Sequence, residues 1–185
     1  MLAQFGMSIP LVAAPMSGGP TTPAMVSAAT RAGALGMLAA GYKTVAAVEA
    51  ELEKVRAAGI PFGINLFAPN PLPVDPDSYR AYAAIVQQDA DQFGLTLPME
   101  PIEDTDRFDE KIALLLDKPV PMVSFTFGIP SRDVIAALRR ADTIVVQTVT
   151  TPDEAALAHE AGVDMLAVQA APPAGIRARC RPTGR

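Results

Sequence analysis

Short apolar runs alternate along this chain with runs whose apolar residues recur at helical spacing. Ile9 to Ala14 is apolar and stops at Pro15, a Gly-Gly turn follows, and Pro23 to Ala32 suits a helix with Gly33 as its terminator. Either Thr21 or Thr22 can cap that helix. Leu35 to Ala39 is a second apolar run, closed by Gly41. Thr44 caps the next helix, where Val45, Val48, Leu52 and Val55 recur with Glu and Lys between them, as far as about Ala58. Pro61 to Phe67 reads as a third strand, with Asn65 where a buried strand is ordinarily apolar.

The rhythm then breaks from Ala68 to about Asp117. The proline-rich start of this insertion excludes regular structure, a helix is predicted from near Pro76 to about Phe93, and a second helix ends near Lys118. So long an excursion is expected to be a lid or binding loop. Alternation resumes with a strand over Val120 to Phe125, a turn over Phe127 to Pro130 and a helix over Ser131 to Ala141. Thr143 to Gln147 is the fifth strand. Thr151-Pro152-Asp153-Glu154 then opens a helix to Ala161, with a cap, Pro at its first position and acids in its first turn. Gly162 closes it, and Val163 to Gln169 is a sixth strand.

Six strands separated by helices specify a parallel sheet wound in one sense. Polar or special residues gather near the strands' carboxyl ends: Pro15 and Met16, Asn65, Ser124, Gln147 and Gln169. Any one of them could be a satisfied core group. Their recurrence at one end of the sheet points to a site there, as in barrels of eight βα units. The G-x-G-x-x-G of dinucleotide-binding sheets is missing after the first strand.

Composition narrows the function classes. The 185 residues are half apolar and 19% charged, enough for one domain with a real core, and no apolar run approaches the roughly 20 residues of a membrane span. A net charge of -5 argues against general nucleic-acid affinity, and the four arginines of the last nine residues do not overturn that. The N-terminus lacks the pattern of a secretory signal, and the single cysteine, Cys180, fits a reducing cytoplasm.

Four segments carry a family resemblance: Ala14-Pro-Met-Ser-Gly-Gly19, Phe62-Gly-Ile-Asn-Leu-Phe67, Val123-Ser-Phe-Thr-Phe-Gly-Ile-Pro130 and Ala161-Gly-Val-Asp-Met-Leu-Ala-Val-Gln169. In this order they resemble the motifs of nitronate monooxygenases, formerly called 2-nitropropane dioxygenases. The resemblance implies an α/β fold of the TIM (β/α)8 type, with FMN at the carboxyl ends of the strands. It implies small-molecule partners, a nitronate or nitroalkane and O2, converted to a carbonyl compound and nitrite. The backbone of Ala14, Pro15 and Met16 would run along the flavin, and Asn65, Gln147 and Gln169 would offer amides to its polar edge. Ser124 and Phe127 would line the substrate space. Many relatives carry His before Phe-Gly, where this chain has Thr126. The resemblance also admits an FMN-dependent enoyl-acyl carrier protein reductase, or a non-catalytic remnant or partner subunit.

The end of the chain departs from the family. Relatives continue with Gly-Gly-His-x-Gly, whose His is the proposed base. Here the residues after Gln169 differ, no catalytic residue is assigned, and the one histidine, His159, falls in a helix where a structural role is expected. A frame shifted by one base across Gly175-Ile-Arg-Ala-Arg can spell His-x-Gly-Thr. Residues 170–185 are therefore expected to be an out-of-frame tail, and 1–169 an FMN-binding domain with about six of eight βα units.

Overall fold

A computed structural model describes residues 5–70 and 74–169. The expected tail over 170–185 lies outside the described residues. Six strands, β1 (Val12–Ala13), β2 (Leu35–Ala39), β3 (Gly63–Ala68), β4 (Met122–Phe127), β5 (Ile144–Val149) and β6 (Met165–Val168), alternate with helices. The helices are α1 (Pro23–Arg31), α2 (Val45–Ala57), α3 (Pro76–Asp91), α4 (Phe108–Asp117), α5 (Arg132–Arg140) and α6 (Pro152–Ala161). Helix α4 packs against α2, α5 and β3 as the helix between β3 and β4, and α3 precedes it in the long excursion after β3.

Every neighbouring pair is parallel, and spatial order follows chain order from β1 to β6. A doubly wound sheet reverses its order at a switch point, whereas this one never does and curls as a partial TIM barrel. Alternation along each strand divides the core into two layers. Leu38, Ile64, Leu66, Val123, Phe125 and Val145 face the helices, meeting Val48, Leu52 and Val55 of α2, Leu115 of α4 and Leu138 of α5. Leu35, Met37, Met122, Ile144 and Val146 face the barrel interior, where Phe5 and Met7 also pack.

Helix starts follow the local chemistry. Thr22, Thr44, Asp75, Ser131 and Thr151 each accept the backbone N–H three residues on. Hydrogen bonds from Ser78, side chain first and then backbone, hold the exposed Asp75 carboxyl below its ordinary pKa. Helix α1 lies so close to β2 that a Cβ on Gly36 would sit 2.4 Å from the Val26 carbonyl oxygen. Gly36→Ala is therefore expected to destabilise the fold by about 1–3 kcal/mol, read as a lower midpoint in urea unfolding.

Strand limits differ from the pattern in two ways. The first strand shrinks to two residues, because Pro10 and Pro15 bracket it and the Leu11 amide turns back onto the Ile9 carbonyl. Strands β4 and β5 start and end later than expected, so Ser124 and Gln147 lie within their strands. No described helix is long and apolar enough to cross a membrane.

Candidate functional site

Parallel register fixes which side chains share a face. Ala39, Asn65, Ser124, Val146 and Met165 are successive partners across five strands and form one inward layer. Beyond this layer, at the carboxyl ends of the strands, a cleft of about 810 Å³ opens. Ala14, Pro15 and Met16 line one side, Ser124, Thr126 and Phe127 the middle, and β6 with Gln169 the other. Its size falls within the roughly 300–1,000 Å³ of small-molecule pockets.

The first turn is rigidly built. Gly18 and Gly19 take positive φ angles of 84° and 116°, which a side chain would resist. Thr22 caps α1, while the buried Thr21 accepts the Met16 N–H at 2.8 Å. The turn therefore presents its surface to the cleft with that donor already used.

Asn65 is the polar centre of the cleft. It is 5% exposed, and its Oδ1 accepts from Ser124 Oγ at 2.8 Å and Thr126 Oγ1 at 3.0 Å. With the acceptor doubly engaged, what Asn65 can offer a ligand is its amide N–H. Thr126 braces Asn65 from the same strand as Ser124.

Aromatic rings form the wall beside it. Phe67 meets Tyr42 at 5.3 Å and Phe127 at 4.8 Å between ring centroids, both edge-on. Register pairs Phe127 with Ala68, whose side chain faces the helices. The left-handed backbone at Phe127, φ 76°, breaks that alternation and brings its ring to the cleft. Tyr42 is also left-handed, at φ 64°. Such conformations in bulky residues cost about 1–3 kcal/mol each and persist where surrounding structure holds them.

One expected site residue is not brought to this place. Gln147 pairs with Phe125 across the sheet and shares its helix-facing side, so it does not line the cleft. Its fully buried amide donates to the carbonyls of Gly128 at 3.2 Å and Thr148 at 3.1 Å, while its Oε1 has no hydrogen-bond partner among the described residues. Gln147 thus supports the loop after Phe127 from behind, a placement that follows from strand parity. Ala14, Pro15, Met16, Asn65, Ser124, Phe127 and Gln169 do converge. Thr126 joins them, as do Tyr42 and Phe67, which no polar signal in the sequence marks, although Phe67 has the parity of Asn65. His159 is exposed in the last turn of α6, away from the cleft lining.

The family model for nitronate monooxygenase matches residues 1–183. The chain belongs to the nitronate monooxygenase family. A probable nitronate monooxygenase of Bacillus subtilis (strain 168) is 33% identical over 184 residues, covering 98% of this chain and 52% of the relative. The chain spans about half the length of the curated relatives it matches. Among solved structures, nitroalkane oxidase from Streptomyces ansochromogenes is similar at 41% identity and a TM-score of 0.81, over 91% of this chain and 48% of that one. A FabK mutant (M276A) from Thermotoga maritima shares the fold, with 20% identity and a TM-score of 0.62 over 89% of this chain and 43% of that one.

Proposed function

We propose that the cleft of this nitronate monooxygenase family chain holds FMN, and that the protein oxidises alkyl nitronates with O2 to a carbonyl compound and nitrite. The observation that carries this reading is Asn65, a braced amide donor set in a largely apolar cleft at the carboxyl ends of the strands. The residues present suit a flavin. Its ring system needs a flat apolar bed and a few uncharged donors and acceptors at one edge.

FMN, when bound, would supply the electron-transfer chemistry. The chain's own residues bind and orient. The Ala14–Met16 backbone would support the ring, and the Asn65 N–H and the Gln169 amide, on opposite sides of the cleft, would serve its polar groups. Ser124 supports Asn65 while lining the substrate space with Phe127. The Tyr42, Phe67 and Phe127 rings exclude water from an apolar substrate tail.

The test is oxygen uptake and nitrite release with propyl-1-nitronate and FMN, without reduced nicotinamide. Both signals are expected, and both should fall with Asn65→Leu. NAD(P)H oxidation that depends on an enoyl thioester would replace this reading with a reductase. Protein that takes up no FMN would point to a non-catalytic chain.

A further inference from the structure

Lys111 is a charged side chain that the proposed chemistry does not use. It lies on α4 among Phe108, Ile112 and Leu115, on the buried stripe of the helix, and is 1% exposed. Its Nζ donates to the Ala40 carbonyl at 3.0 Å and lies 2.8 Å from Asp106 Oδ2, an ion pair by distance without hydrogen-bond geometry. The other oxygen of Asp106, Oδ1, accepts the Tyr42 N–H at 2.9 Å. One buried cation therefore ties the start of α4 to the loop after β2 at two points, either side of Gly41. The second point is the residue whose left-handed backbone sends a ring to the cleft.

We infer that Lys111 and Asp106 form a latch through which the start of α4 sets the aromatic rim of the cleft, with Tyr42 as the rim residue that contacts what binds there. Both are positioning residues, acting through Tyr42. The loop alone would not hold a tyrosine at positive φ. The carboxylate supplies an acceptor at the required place, and Lys111 fixes the carboxylate. A buried pair of this kind adds little net stability but fixes geometry, and removing one partner strands the other. That the ligand at the rim is FMN or a nitronate rests on the function proposed above; the latch itself does not.

Single substitutions risk unfolding, so two double variants make the test. Lys111→Met with Asp106→Asn removes both charges and keeps an acceptor for the Tyr42 N–H. Lys111→Met with Asp106→Ala has the same apolar helix and lacks the acceptor. The Tyr42 amide should exchange slowly with deuterium in the full chain and in the Asn variant, although Tyr42 itself is 67% exposed. In the Ala variant it should exchange about tenfold faster, the size of one hydrogen bond. FMN affinity, read by quenching of flavin fluorescence, should weaken in the Ala variant and recover in the Asn variant. Equal exchange at Tyr42 in both would overturn the latch. Differing exchange with equal FMN affinity would overturn the positioning role. If the unaltered chain fails to bind FMN, the function reading fails, and Tyr42 exchange still decides the latch.

Discussion

Gly128→Ala is expected to be the most disruptive single methyl addition near the cleft. Gly128 follows Phe127 and donates its N–H to the Ala68 carbonyl, stitching the loops after β3 and β4 together. A Cβ there would lie 2.0 Å from the Pro69 carbonyl oxygen and 3.2 Å from that of Ala68. Both obstacles are backbone, so no side-chain rotation relieves the overlap. A loss of about 3 kcal/mol or more, at the upper end of overpacking costs, should appear in urea unfolding. Because Gln147 holds the Gly128 carbonyl, the displaced loop should carry Phe127 with it and open the aromatic wall. Gly59→Ala is the control: its φ of 64° is left-handed but nothing lies within 4 Å. It should cost only about 1 kcal/mol and leave the cleft intact. Equal effects of the two changes would show that the loops are not in contact.

Asn65→Asp is expected to weaken FMN binding by removing the amide donor while keeping the acceptor for its two hydroxyl partners. The carboxylate can accept from both Ser124 and Thr126, as the amide oxygen does now, so the polar line is kept. What disappears is the N–H donor, replaced by a charged acceptor facing the cleft. FMN affinity, compared at matched folded fraction, should fall at least about tenfold, as one lost hydrogen bond and a new repulsion require, and the carboxylate at this 5% exposed position should lower the unfolding midpoint as well. Asn65→Leu should reduce both, since it strands two hydroxyls beside an apolar side chain. If Asn65→Asp bound FMN as well as the unaltered chain, the donor role would be wrong.

The order of elements and the winding of the sheet were legible in the sequence because apolar runs, helix caps and terminal glycines recur with little interference. Strand limits were less so near Pro10, Pro119 and Pro121, where proline shifts pairing by a residue or two. The cleft was partly legible. Polar residues in apolar strands marked Asn65 and Ser124, but type without parity also drew in Gln147, which the alternation of β5 turns to the helices. Phe127 reaches the cleft through a backbone conformation that no residue pattern announces. The contact of Asp106 with Tyr42 joins residues 64 apart and has no local signature. Lys111 left a trace, a cation three residues after Phe108 on an otherwise apolar helix face, and such a residue is buried only when paired.

The cleft around Asn65 is proposed as a flavin site. Titrating FMN with the protein and following flavin fluorescence tests it most directly, with Asn65→Asp run in parallel at matched folded fraction. Saturable quenching by the unaltered chain, shifted to higher protein concentration by Asn65→Asp, is the predicted result. An absence of quenching, or quenching that Asn65→Asp leaves unchanged, would contradict it.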